Sequence, residues 1–126
     1  MKIEVSVGEV IDKYTILDIK QSKITDDVKG INIATEKNHL ALGLEEFGYL
    51  KEFENEIREL KQINECLWNI EDKIRIKEAN LEFDEEFIEL ARSVYMTNDR
   101  RFEVKRRINE LSNSRFKEEK SYAKYD

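Results

Sequence analysis

The stretch that decides the fold runs from Tyr49 to Asn80 and reads YLKEFENEIRELKQINECLWNIEDKIRIKEAN. Its seam positions recur at alternating spacings of three and four residues, which is a heptad pattern sustained over more than three heptads. The seam consists of Leu50, Phe53, Ile57, Leu60, Asn64, Leu67, Glu71 and Ile74. We therefore predict one long helix over 49–80 and an all-α protein.

The segments on either side predict three further helices in a single domain, 1–126. Ser6 with Glu9 three residues later forms a capping box, so a helix should cover 7–25 after a short extended arm, 1–6. Apolar residues between 28 and 42 indicate a second helix. Asp84 is a suitable N-cap for a last helix over 85–111, followed by a tail, 114–126.

Two glycines, Gly43 and Gly48, flank the residues between the second helix and the long one. Glycine is the weakest helix former after proline, so we expect a turn between antiparallel helices over 43–48. A single bent helix through this region is the alternative. The chain has no proline and only four glycines, which favours long helices throughout.

The composition, 40% apolar and 40% charged with helical periodicity, is typical of a helical bundle or a coiled-coil-like oligomer. A helix over 49–80 would span about 45 Å at 1.5 Å per residue. That length is large for a compact chain of 126 residues. We therefore expect a homo-oligomer, either a dimer or a higher assembly, in which part of the seam meets a second copy.

Charge and residue types exclude several classes of function. The net charge of −6 disfavours nucleic acid as a partner, because phosphates would repel most of the surface. No apolar run approaches a membrane span and the start of the chain does not resemble a signal peptide, so we expect a cytoplasmic protein. With one cysteine, Cys66, and one histidine, His39, we expect no metal site and no cofactor.

Polar side chains interrupt the inward stripes of the helices, and these residues are the candidate site. Burying such groups is costly unless they pair or meet a ligand. The first helix contributes Glu9 and Asp12 beside its apolar face. The candidate ligand-binding residues are Lys13, Trp68, Arg75, Arg92, Tyr95, Asn98, Asp99, Arg101 and Lys105.

This polar band has three interpretations. It is a structural layer in which Arg75, Arg92 and Arg101 pair with Glu71, Asp72 and Asp99, and in which Asn64 sets the helix register. It is a pocket in which Arg and Lys hold a phosphate or carboxylate, with Trp68 or Tyr95 as an aromatic stacking face. Or it belongs to a peptide- or protein-binding groove. The pocket is our leading functional hypothesis, with a nucleotide or nucleotide-like anion as the ligand, and a helical interaction or scaffold module is the rival.

Catalysis is not expected from this sequence. The paired acids Glu71–Asp72 and Glu85–Glu86 are consecutive, so they point in different directions on a helix. The chain has no Glu-x-x-His pair, no Gly-rich phosphate loop and no serine beside a histidine base. We therefore expect a non-catalytic protein.

Four segments resemble a family of small helical proteins of unknown function from bacteria and their phages. They are SVGEVIDKYTILDIK (6–20), INECLWNIEDKIR (63–75), FDEEFIELARSVYMTNDRR (83–101) and EEKSY (118–122). The resemblance brings no reaction, but it suggests two settings for an anion-binding protein. One is an accessory role with sugar nucleotides or phosphorylated sugars. The other is a phage sponge in the host cytoplasm that sequesters a nucleotide immune signal.

Overall fold

A computed structural model describes residues 1–126 and contains helices without any strand. The all-α prediction is therefore confirmed. No helix combines the length and the apolar character that crossing a membrane requires. The helices are α1 (Val7–Lys23), α2 (Asp27–Glu46), α3 (Tyr49–Glu52), α4 (Glu54–Ala79) and α5 (Glu85–Leu111).

Side-chain caps explain where three of these helices begin. The Ser6 hydroxyl accepts a hydrogen bond from the Glu9 amide at 3.2 Å, and Asp84 accepts one from the Phe87 amide at 3.0 Å. Asp26 does the same for the Lys29 amide at the start of α2. Each carboxylate or hydroxyl satisfies an amide that has no partner inside the helix.

The predicted turn over 43–48 is wrong in extent, because α2 continues through Gly43 as far as Glu46. Leu44 is only 3% exposed and belongs to the main core cluster. Burying this side chain contributes about 2 kcal/mol, which exceeds the roughly 1 kcal/mol cost of a helical glycine. The chain turns only at Phe47 and Gly48, and Gly48 has the left-handed φ of 72° that favours glycine.

The single helix predicted over 49–80 is also wrong, because the helix is interrupted at Phe53. This residue has φ −104° and ψ 28°, which lie outside the helical range, and it separates α3 from α4. Its ring is 1% exposed and packs against Tyr49, with ring centroids 5.6 Å apart. Burial of Phe53 in the core therefore overrides the local helical pattern.

The apolar core lies at one end of the molecule, where α1, α4 and α5 meet α2 and α3. Seven buried residues form it: Ile11, Leu44, Phe53, Leu60, Ile63, Val104 and Ile108. Along α4 the last buried residue is Ile70, and along α5 the first is Thr97. Beyond these points neither helix has a buried residue, so the polar band lies at the boundary between the core and the outer parts of α4 and α5.

Candidate functional site

The centre of the polar band is an ion pair between Asp12 of α1 and Arg101 of α5. Arg101 donates two hydrogen bonds to the two carboxylate oxygens, and the bond from Nε measures 2.9 Å. Asp12 is 1% exposed, whereas the Arg101 side chain keeps 27% of its surface exposed. The hydrogen bond to Asp12 raises the pKa of Arg101, although burial acts in the opposite direction.

Asn64 of α4 joins this pair to a third helix. Its side-chain amide donates to Asp12 Oδ1 at 3.0 Å and to the Thr15 hydroxyl at 2.9 Å. Thr15 in turn donates to the Asp12 carbonyl oxygen at 2.7 Å. No buried side-chain nitrogen or oxygen lacks a hydrogen-bond partner. These four side chains therefore form a satisfied polar layer linking α1, α4 and α5.

Lys105 lies one helical turn further along α5 and is 6% exposed. Its ammonium contacts the carboxylates of Glu9 at 2.9 Å and Glu118 at 3.0 Å. Burial lowers the pKa of Lys105, but the hydrogen bonds to the two carboxylates outweigh it and the net shift is upward. Lys105 therefore remains a cation at neutral pH.

Gly8 sets the spacing between α1 and α5 beside this lysine. A Cβ at position 8 would lie 2.6 Å from the Lys105 carbonyl oxygen and 2.8 Å from Asn109 Oδ1. The Gly8 amide instead donates a hydrogen bond of 2.7 Å to that Asn109 oxygen. The close approach of α1 to α5 beside Lys105 thus explains the glycine of the SVGE segment.

Two adjoining cavities form one cleft between α5 and the C-terminal tail. The polar cavity has a volume of about 300 Å³ and the more aromatic one about 620 Å³. They share Phe102, Lys120 and Tyr122. The polar cavity is lined in addition by Glu9, Asn98, Arg101, Lys105 and Glu118, and the aromatic one by Tyr95, Asp99, Glu103, Tyr125 and neighbouring tail residues.

The tail reaches this cleft because it runs back along α5. Lys120 lies over the Phe102 ring at 5.0 Å. The Tyr125 hydroxyl donates to Asp99 Oδ2 at 2.6 Å, and its ring meets Tyr95 edge to face with centroids 5.0 Å apart. The hydrogen bond to Asp99 raises the pKa of Tyr125 to about 12.

A model of a family of unknown function, DUF6165, matches residues 1–125. The chain belongs to the DUF6165 family. The predicted resemblance to a family of unknown function is thereby confirmed for nearly the whole sequence. No curated protein and no solved structure matches the chain.

In this DUF6165 chain, the candidate residues are divided among several places. Asn98, Arg101 and Lys105 line the polar cavity, and Tyr95 and Asp99 line the adjoining aromatic one. The five therefore belong to one cleft along α5.

Trp68 and Arg75 lie elsewhere, in a separate cavity of about 330 Å³ beside α1 that also includes Arg101. Trp68 therefore does not line the cleft that contains Tyr95. Arg75 lies 3.7 Å from Glu71, as the structural interpretation expects for this pair.

The two remaining candidates are exposed cations with partners of their own. Arg92 pairs with Glu89 at 3.1 Å, and Lys13 pairs with Glu36 of α2 at 2.9 Å. Neither belongs to the lining of the cleft between α5 and the tail. Arg101 also differs from expectation, because its partner is Asp12 rather than an acid of its own helix.

Among the cleft residues of this DUF6165 member that were not candidates are Glu118, Lys120 and Tyr122. All belong to the tail, which has no helical periodicity from which a contact could be inferred. Their only signal was the EEKSY segment, 118–122, in the resemblance. Nowhere does the chain bring together three or more His, Cys, Asp or Glu side chains that could hold a metal ion.

Proposed function

We propose that this chain binds an anionic small molecule without catalysing a reaction, and that the ligand is a nucleotide or a nucleotide-derived signal. The site is the cleft between α5 and the tail. One observation carries the proposal: the cleft combines cationic side chains, which are concentrated in its polar part, with aromatic rings, which are concentrated in the adjoining part. The cations are Arg101, Lys105 and Lys120, and the rings are Tyr95, Phe102, Tyr122 and Tyr125.

The cationic end is occupied by the chain's own carboxylates, so the ligand anion has to replace one of them. Glu118 is the natural candidate, because its side chain is 40% exposed and it comes from a segment without helical structure. Partly exposed ion pairs typically contribute less than about 1 kcal/mol. A phosphate offers Lys105 more than one oxygen and a greater negative charge than a single carboxylate, and it can replace Glu118 while Glu9 stays in place.

The aromatic end suits a planar ring attached to that anion. Its volume of about 620 Å³ lies within the range usual for ligand pockets, roughly 300–1,000 Å³. Stacking of a base on an aromatic side chain contributes about 1–3 kcal/mol. Asn98 lies at the polar end, where its amide can orient a ribose or sugar hydroxyl.

The resemblance to phage and bacterial proteins suggests two biological roles for such binding. A phage-encoded copy would sequester an immune signalling nucleotide. A bacterial copy would serve as an accessory to proteins that use sugar nucleotides or phosphorylated sugars. Both roles need the same cleft. The preferred ligand distinguishes them: a signalling nucleotide for the first role, and a sugar nucleotide or phosphorylated sugar for the second.

A second candidate function is a helical interaction or scaffold module. A separate apolar groove of about 260 Å³ supports it, between the N-terminal arm, α1 and the end of α2. Val5 and Phe47, two of its lining residues, are exposed. Binding of a partner there would depend on these side chains and not on Lys105 or Lys120.

The finer architecture is also proposed: α1, α4 and α5 pack antiparallel to their main neighbours, and the chain forms a homo-oligomer. The pairing of Gly8 with Asn109 and of Asp12 with Arg101 supports opposite directions for α1 and α5.

The exposed surface supports self-association. It measures 9087 Å², whereas a typical monomer of 15.1 kDa exposes about 7,100 Å².

Thermal-shift measurements against nucleotides, cyclic nucleotides and sugar phosphates test the binding proposal. A ligand at a hundred times its Kd should stabilise the fold by about 2.7 kcal/mol. Lys120→Ala should reduce the shift, because it removes an ammonium from the cleft. Lys13→Ala is the matched control, because Lys13 is an exposed cation outside the cleft, paired with Glu36. The proposal fails if no anion raises the melting temperature, or if Lys120→Ala leaves the shift intact.

A further inference from the structure

Two candidate residues from the sequence, Trp68 and Arg75, line a cavity that is separate from the cleft. This α1–α4 cavity has a volume of about 330 Å³, and ligand pockets usually measure roughly 300–1,000 Å³. Along α4, polar side chains line its two ends and apolar side chains line its middle. A mostly apolar pocket with a few convergent polar groups is the usual form of a small-molecule site.

The apolar middle of the cavity consists of Ile16 and Ile19 of α1 and Leu67 and Trp68 of α4. Ile19 is buried, whereas the other three are half-buried and keep some accessible surface. The indole face is negatively polarised, so it attracts an organic cation more strongly than the other aromatic side chains do. The middle of the cavity therefore suits an apolar chain that carries a positive charge.

The inner end of the cavity, at Asn64 and Arg101, offers a free acceptor and a free donor. The Asn64 amide nitrogen donates to Asp12 and Thr15, but its Oδ1 accepts no hydrogen bond from the protein. No fully buried polar atom lacks a partner, so this oxygen is accessible, and Asn64 borders this cavity but not the cleft.

Arg101 lies beside that oxygen, because it and Asn64 both hydrogen-bond Asp12 Oδ1. Its bonds to Asp12 use Nε and Nη2, so Nη1 has no partner in the protein. A carboxamide carries one acceptor oxygen and one donor nitrogen. It can therefore accept from Arg101 and donate to Asn64 at the same time, which a carboxylate cannot do.

The outer end of the cavity, at Glu71, Asp72 and Arg75, has one carboxylate without a counter-charge. Asp72 is exposed and forms no ion pair with any lysine or arginine, whereas Glu71 and Arg75 approach each other at 3.7 Å. At the inner end, Asp12 neutralises Arg101. The lining as a whole is therefore left with the single negative charge of Asp72, which a ligand with one positive charge would balance.

The distance between the two ends sets the length of the ligand. Asn64 and Asp72 are eight residues apart on α4, which corresponds to about 12 Å at 1.5 Å per residue. A hydrogen bond of about 3 Å at each end leaves roughly 6 Å between the polar groups of the ligand. An extended chain covers about 1.2 Å per bond, so roughly five bonds separate these groups.

We propose that the α1–α4 cavity is a second ligand site, which takes a small organic cation with a primary ammonium group joined by a short apolar chain to a carboxamide. The ammonium pairs with Asp72, the chain lies against Trp68, and the carboxamide binds Asn64 and Arg101. This site does not depend on the nucleotide proposal, because Arg101 is the one residue that borders both the cleft and this cavity.

Tryptophan fluorescence tests the site directly, because Trp68 is the only tryptophan in the chain. Titration with 5-aminopentanamide should give a saturable change with a Kd on the order of 1 mM, as expected for a ligand of so few atoms. Asp72→Asn should raise this Kd about threefold or more, because the ammonium loses its counter-charge. Glu78→Gln is the matched control, since Glu78 is an exposed acid of α4 outside the cavity, and should leave the Kd unchanged.

Three related compounds test the two ends of the ligand separately. Pentanamide lacks the ammonium, pentylamine lacks the carboxamide, and 5-aminopentanoate has a carboxylate in its place. Each should bind at least about threefold more weakly than 5-aminopentanamide, because each leaves one end of the cavity without its partner. Equal or tighter binding of pentylamine or 5-aminopentanoate would overturn the assignment of a carboxamide to Asn64 and Arg101.

The remaining outcomes concern the site as a whole. If the fluorescence of the wild-type chain shows no saturable change at ligand concentrations of about ten times the expected Kd, the α1–α4 cavity is not a site for this class of cation. Equal Kd values for the wild type and Asp72→Asn would overturn the position of the ammonium. Neither result affects the proposal for the cleft, because no nucleotide is present in these titrations.

Discussion

Replacement of Gly8 by alanine should destabilise the protein, although alanine is the better helix former. The new Cβ would lie 2.6 Å from the Lys105 carbonyl oxygen, a backbone atom that cannot rotate away. Restoring an ordinary contact requires α1 and α5 to separate by roughly 0.8 Å. That movement also stretches the 2.7 Å hydrogen bond from the Gly8 amide to Asn109.

The magnitude follows from two opposing effects. Overpacking of this kind costs about 1–3 kcal/mol, and the higher helix propensity of alanine returns at most about 1 kcal/mol. The free energy of unfolding should therefore fall by up to about 2 kcal/mol. For a chain of this size, that corresponds to a decrease of up to roughly 8 °C in Tm.

Chemical denaturation of Gly8→Ala beside Gly30→Ala measures this difference. Gly30 lies in α2, and a Cβ there would meet nothing within 4 Å. Gly30→Ala should therefore raise the free energy of unfolding by about 0.4–1 kcal/mol. If Gly8→Ala stabilises the protein as much as Gly30→Ala does, α1 and α5 do not approach as closely as described. The geometry assigned to the cleft beside Lys105 is then wrong.

Two further substitutions test the ion pairs around α1. Asp12→Ala leaves the half-buried guanidinium of Arg101 without its carboxylate. The free energy of unfolding, measured by urea denaturation, should therefore fall by about 3 kcal/mol. A loss below about 1 kcal/mol would contradict the polar layer. Burial raises the pKa of Asp18, but hydrogen bonds from Lys37 and Lys61 outweigh it and bring the pKa below 3.8. The stabilisation from Asp18 is thus present above about pH 4 and lost as the pH falls through the lowered pKa, so Asp18→Asn should flatten the acid side of a stability–pH profile; an unchanged profile would refute these ion pairs.

Local signals in the sequence were sufficient for the starts of two helices. Ser6 and Asp84 act through bonds to amides three residues away, so their effect can be inferred without knowing the rest of the fold. The interruption at Phe53 was not predictable in the same way. It depends on where a buried ring lies in the core, which heptad spacing does not specify.

The candidate site was predictable in part for the same reason. Arg101 and Lys105 stood out because they occupy inward positions of a helical stripe. The partner of Arg101 could not be predicted. Asp12 lies 89 residues away in the sequence, and its pairing with Arg101 depends on the relative register of α1 and α5. Glu118 lies in a segment without periodicity, so its approach to Lys105 could not be inferred from spacing.

Replacement of Glu118 tests most directly whether the cleft holds an anion. Isothermal titration calorimetry with adenosine diphosphate should detect binding to the wild-type chain. Glu118→Gln should bind two- to fivefold more tightly, because the Glu118 carboxylate then no longer competes with the ligand for Lys105. The ion pair between Lys105 and Glu118 contributes no more than about 1 kcal/mol, which corresponds to roughly fivefold in Kd. Glu119→Gln is the control, since Glu119 approaches Arg106 at 3.8 Å and does not line the cleft. No binding heat with any of the three proteins, or equal affinities for the two variants, would contradict the account.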